Sequence, residues 1–185
     1  MHNRLLKAGL VGTTALLFAG SSIADGDNGN GEHGKKEFEV SARLIGYQEV
    51  PALSTIASGK FTATIDTDAG TITWRLRYDG LEGTVTQSHV HFGQMGVNGG
   101  ISFFLCSNLA NPPPNTQACP APPADISGVI TAAEVIGPGG VPPAPVLQGI
   151  EPGAIGEIIA AIRAGIAYAN VHSSKWPGGE IRGQL

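Results

Sequence analysis

From Glu37 onward, apolar and polar residues alternate: Phe38, Val40, Ala42 and Leu44 fall between Glu37, Glu39, Ser41 and Arg43. Phe61, Ala63 and Ile65 repeat the pattern against Lys60, Thr62 and Thr64, and Ile72, Trp74, Leu76 and Tyr78 repeat it against Thr71, Thr73, Arg75 and Arg77. Successive side chains of a strand point to opposite faces, so each segment predicts a strand with one face in a core and the other in water. Thr67-Asp68-Ala69-Gly70 is turn chemistry and predicts a hairpin, with Asp66 and Asp68 serving the turn rather than a cation. Val85 to Phe92 and Gly100 to Cys106 predict two more strands joined by Gly93 to Gly99, and Ile126 to Thr131 a short one. Ile166 to His172 and Gly179 to Leu185 predict closing strands around the turn Lys175-Trp176-Pro177-Gly178.

The period changes once. Ile155, Ile158, Ile159 and Ile162 recur on one helical face, with Pro152 at the first turn and Gly165 placed to end the helix in the left-handed conformation. One short helix inserted late in a run of antiparallel strands predicts an all-β fold, an antiparallel β-sandwich of Greek-key, immunoglobulin-like or superoxide-dismutase-like form. Two Pro-rich excursions, Ser107 to Ala124 and Gly137 to Pro145, read as surface loops.

The N-terminal residues fall outside this pattern. Arg4 and Lys7 precede the apolar run Ala8 to Ala19, and Ser22-Ile23-Ala24 has the small residues of a cleavage site. Residues 1–24 therefore predict a secretory signal, cut after Ala24, and residues 25–36 (DGDNGNGEHGKK) a disordered polar leader in which His33 is solvated. Residues 37–185 form the predicted domain, with no stretch suited to a membrane span. Removing Arg4 and Lys7 from the eleven basic residues leaves nine against fifteen acidic ones. No basic block or aromatic-basic patch occurs, which argues against a nucleic-acid partner.

Export also governs the reading of the two cysteines. Cys106 and Cys119 lie in one Pro-rich segment, and in an oxidising compartment they predict a local disulfide worth about 3 kcal/mol in the chain-entropy model.

The chemistry concentrates in histidines. His89-Val90-His91 on a strand points both imidazoles to one face, shared with Gln87, while Val90 and Phe92 take the other. Near the C-terminus His172 shares a face with Tyr168 and Asn170, opposite Ala169 and Val171. All three histidines thus lie opposite the apolar side of their strands, which predicts a solvent-accessible site on the outside of the sheet. If the two strands are neighbours, three neutral imidazoles form a site for copper or zinc. Copper leads, because an open histidine-only site outside the cytoplasm fits Cu(II), and copper outranks zinc at nitrogen ligands. Glu180, Tyr168 and Met95 are candidate additional ligands or orienting groups, although Glu180 is better suited to pair with Arg182 or bond a turn, and Met95 to fill a gap in a loop. No catalytic residues are assigned: the chain lacks a phosphate-binding glycine loop, a Gly-Xaa-Ser-Xaa-Gly elbow and a helical calcium loop.

Glu49-Val50-Pro51, Ser88-His89-Val90-His91-Phe92-Gly93, Asn98-Gly99, Ala167-Tyr168-Ala169-Asn170-Val171-His172 and Gly179-Glu180-Ile181-Arg182-Gly183-Gln184 occur in that order. Together they resemble the CHRD domain, a module named after chordin and found in bacterial secreted proteins. The resemblance implies an extracellular β-sandwich rather than a defined reaction, and extracellular proteins as possible partners. Ser173 and Gly100 depart from the usual Thr and Pro, and neither change touches the histidines. The His-Xaa-His strand is also similar to the copper strand of Cu/Zn superoxide dismutase, without that enzyme's bridging histidine or zinc loop.

Three functions follow as expectations. The first is a secreted or periplasmic metal-binding protein for sequestration or delivery. The second is a protein-binding or adhesion module without metal, its histidines organising the sheet by hydrogen bonds. The third is a copper enzyme acting on oxygen species.

Overall fold

A computed structural model of the chain describes residues 36–137 and 148–185. The predicted signal, the leader up to residue 35 with His33, and the loop from residue 138 to Pro145 lie outside the described residues. Eight strands form one antiparallel sheet: β1 (Glu37–Ile45), β2 (Ser58–Asp66), β3 (Thr71–Asp79), β4 (Val85–Phe92), β5 (Gly100–Ser107), β6 (Ala124–Ile130), β7 (Ala167–Ser173) and β8 (Ile181–Gln184). Their order across the sheet is β5-β4-β7-β8-β1-β2-β3-β6, and every pairing is antiparallel. The two edge strands approach one another, since the Ile136 N–H following β6 donates to Ser102 O on β5 at 2.9 Å. The architecture is thus the predicted all-β, sandwich-like one.

Alternation places the core. Leu44, Phe61, Ile65, Ile72, Trp74, Leu76 and Tyr78 point inward from β1, β2 and β3, while Val90, Phe103, Leu105, Ala169, Val171 and Ile181 join them from the other half. Each Leu, Ile, Val or Phe among them contributes about 1.5–3 kcal/mol on burial. The β2–β3 hairpin closes as predicted: Asp66 Oδ1 accepts from the N–H groups of Asp68 and Ala69, both at 2.9 Å. The helix α1 (Ile155–Arg163) buries Ile158, Ile159, Ala161 and Ile162. It ends at Gly165 (φ 71°), where the N–H of Ile166 bonds Ala161 O and that of Gly165 bonds Ile162 O, a Schellman motif. Its start differs from expectation. Pro152 lies in a turn ahead of the helix, because Gly153 (φ 83°) breaks the helical path before the cap at Ala154.

Cys106 and Cys119 form the predicted disulfide, tying the end of β5 to the Pro-rich loop. The same loop is held by Asn108, whose side chain donates to Cys119 O and accepts from Cys119 N–H.

Candidate metal centre

Strands β4 and β7 are hydrogen-bonded neighbours, with Gln87 opposite His172, His89 opposite Asn170 and His91 opposite Tyr168. Directly opposed residues share a face, so the three histidines fall on one patch of the sheet. On the other side of β4 the pairing with β5 slips twice, between Ser88 and His89 and between Val90 and His91. Such irregularities re-aim side chains, and each of these two falls immediately before a histidine. The rings come together: His89 and His172 have centroids 4.6 Å apart, His89 and His91 5.0 Å, and His91 and His172 6.5 Å. One nitrogen from each lies within 4.8 Å of one nitrogen from each of the others. Three nitrogens bound to one ion at about 2.0–2.1 Å lie about 3.4–3.6 Å from one another in trigonal or tetrahedral geometry. A contraction of about 1.3 Å at most therefore closes the cluster on a cation.

The face is not solvent-accessible. His89, His91 and His172 are 1%, 7% and 6% exposed, which corrects the expectation of an open outer site. The cover comes from chain segments that alternation along the strands does not report. Gly99, at the end of the β4–β5 loop, offers its carbonyl to His91 Nδ1 at 2.9 Å, and Pro177, in the β7–β8 turn, offers its own to His172 Nδ1 at 2.9 Å. A side chain at Gly99 would drive its Cβ to 1.7 Å from Phe92 O, so only glycine lets this backbone approach so closely. Phe104 closes over His89, edge to face at 4.7 Å.

These hydrogen bonds set the tautomers. A carbonyl can only accept, so Nδ1 carries the proton in both His91 and His172, and Nε2 presents a lone pair. His172 Nε2 is buried without a partner, as is His89 Nε2. His91 Nε2 lies 3.1 Å from both His89 Nδ1 and Asn170 Oδ1, which are themselves 3.2 Å apart. In this arrangement three lone-pair atoms share at most the one proton of His89. Orphaned nitrogens and crowded acceptors are the donor set a metal cation satisfies.

A column of stacked planes supports the site. Tyr168 lies parallel to His91 (4.5 Å, 5°), and its hydroxyl accepts from the Gly99 N–H at 3.2 Å. The Arg182 guanidinium lies over the Tyr168 ring, 3.4 Å from its centroid. Arg182 is 1% exposed and donates to Gln94 O, Val97 O, Asn98 Oδ1 and Gln184 Oε1, which pins the β4–β5 loop over the histidines. Glu49 is buried near this cation, and Asn98 reaches Val50 O. The Glu49-Val50-Pro51 segment thus belongs to the support of the site. Glu180 is fully buried and accepts from Thr55 Oγ1 at 3.0 Å and from the Glu82 N–H at 2.7 Å, so it bonds a turn rather than pairing with Arg182. Met95 is 72% exposed on the loop. Arg182, Asn170 and Glu49 are the residues whose part in the site sequence reasoning missed. A charged residue on a strand facing a histidine patch was the available signal for Arg182.

Burial keeps the imidazoles neutral, the form that binds metal. His89 is held well below the ordinary range by desolvation and then by the neighbouring rings of His172 and His91. His91 is lowered to about 4, chiefly by desolvation, and His172 is lowered by the same cause. In the unfolded chain these rings take up protons below about 6.5, while the folded state resists until lower pH. Stability therefore falls as pH drops from about 6.5 toward 4, by about 3 kcal/mol from His91 alone. Glu49, raised to about 7 mainly by burial, acts in the opposite sense. Its folded form keeps a proton that the unfolded form releases above about 4.5, so its contribution is lost as pH rises through 7. Three rings outweigh one carboxyl. Thermal melts in chelator should show Tm decreasing from pH 7 to pH 4, more steeply in Glu49→Gln; a flat or rising Tm contradicts this.

The sequence model of the CHRD domain matches residues 40–185. The chain belongs to the CHRD family. No curated protein and no solved structure gives a significant match. In this CHRD domain the motif residues gather at one place: His89, His91, Asn98, Gly99, Tyr168, Asn170, His172 and Arg182 either line the histidine cluster or hold its cover. Among the described residues no helix is long and apolar enough to cross a membrane.

Proposed function

We propose that this CHRD domain binds a transition metal, copper ahead of zinc, through His89, His91 and His172, and sequesters or delivers it outside the cytoplasm. One observation carries the reading: two imidazole nitrogens are buried with no hydrogen-bond partner inside a three-histidine cluster. An unpartnered buried acceptor costs about 1–3 kcal/mol, and coordination removes that cost. Tyr168 and the carbonyls of Gly99 and Pro177 serve as orienting groups, fixing ring planes and tautomers. The extracytoplasmic setting is supported by the Cys106–Cys119 disulfide and by the family.

A protein-binding module without metal remains the rival, favoured by the hydrogen bonds the Nδ1 atoms make to the covering turns. Elemental analysis of protein purified without chelators or a histidine tag separates the two. The metal reading expects one equivalent of copper or zinc in the wild type and loss of that equivalent in His89→Ala. Absence of stoichiometric metal after exposure to both ions leaves the protein-binding reading standing.

A further inference from the structure

We propose that the centre is selective for copper in its monovalent state, holding Cu(I) in preference to Cu(II) and Zn(II). This rests on the reading that the three histidines hold a transition metal, and it reverses the oxidation state that an open site would favour.

The donor set is neutral. Three imidazoles converge, and the neutral amide Oδ1 of Asn170 lies 3.1 Å from His91 Nε2. Among the described residues no carboxylate or thiolate joins the cluster. Both cysteines are tied up in their disulfide, and the Glu180 carboxylate is engaged with Thr55 and the Glu82 backbone. Any ion in the centre therefore keeps its full charge.

The surroundings make that charge costly in proportion to its size. With the rings 1–7% exposed, and Phe104 and Tyr168 packed against two of them, water cannot screen the ion. The desolvation cost grows with the square of the charge, so a divalent ion is penalised far more than a monovalent one. Zinc on three protein ligands also completes its tetrahedron with water or substrate, whereas a closed-shell monovalent copper is satisfied by three nitrogens.

The nearby formal charge adds to this preference. Arg182 sits behind Tyr168, whose other neighbour is His91, so a guanidinium and the metal flank one two-ring stack. Its positive charge acts at His91. Repulsion from a fixed cation is weaker for Cu(I) than for either divalent ion.

The test is metal competition with the full chain. Protein stripped of metal is equilibrated with Cu(I) under ascorbate against bathocuproine disulfonate, and with Zn(II) and Cu(II) against chelators of known affinity. The expected result is one equivalent of EPR-silent copper held about 1000-fold or more tightly than Zn(II), and more tightly than Cu(II). Asn170→Asp, nearly isosteric, places a carboxylate beside His89 and His91 and should shift the preference toward Zn(II) by about 100-fold. Divalent ions bound as tightly as Cu(I) overturn the selectivity and leave the metal site standing. A folded Asn170→Asp variant with an unchanged preference overturns it equally. Failure to hold any of the three ions overturns the selectivity together with the metal reading on which it rests.

Discussion

Replacing Arg182 with Ala is expected to lower folding stability by about 3–5 kcal/mol, the range for removing one partner from a buried charged network. The guanidinium is 1% exposed and satisfies three loop groups, Gln94 O, Val97 O and Asn98 Oδ1, besides Gln184 Oε1. Without it those acceptors lose their donor, and Glu49 is left buried with no facing cation. Tyr168 also loses the group stacked on the ring face away from His91, so the aromatic column loosens. Urea unfolding with the disulfide intact measures the loss. The comparison is Arg75→Ala, which breaks an exposed pair with Asp125 and should change stability little, because solvent screens such pairs. Equal effects from the two substitutions would refute the role given to Arg182.

The second large effect is stabilisation by metal. A ligand that binds only the folded state at 1000 times its Kd adds about 4 kcal/mol to stability. Copper added to the stripped wild-type protein should therefore raise Tm by several degrees. His172→Ala, which removes one of the two unpartnered nitrogens, should melt at the same temperature with and without copper. The variant's own metal-free melt is the baseline, so any cost of the truncation itself cancels. An undiminished shift in the variant would mean that copper binds elsewhere.

The readable parts of this chain were those in which one face of a strand is solvated. β1, β2 and β3 alternate strictly, and their inward residues are the core the pattern names. β4 and β7 alternate too, yet β7 is buried along its whole length. A polar side chain opposite an apolar one reads as solvent-facing, but its partner here is a second polar layer built from turns. That is why the three histidines were found while their burial was missed. The candidate fourth ligands show the same limit: Tyr168 lies beside His91, whereas Glu180 bonds elsewhere and Met95 stays in solvent.

Sequence alone determined the strands, the helix, the disulfide partners and the identities of the three histidines, because each depends on local spacing or on pairing within a short segment. The tertiary structure decided that β4 and β7 are neighbours, that the β4–β5 loop and the Pro177 turn roof the imidazoles, that Arg182 holds that loop, and that Glu49 is buried near Arg182. Those are contacts between segments remote in the chain. They are set by which buried polar groups can satisfy one another once the sheet has formed, and alternation within a strand carries no record of them.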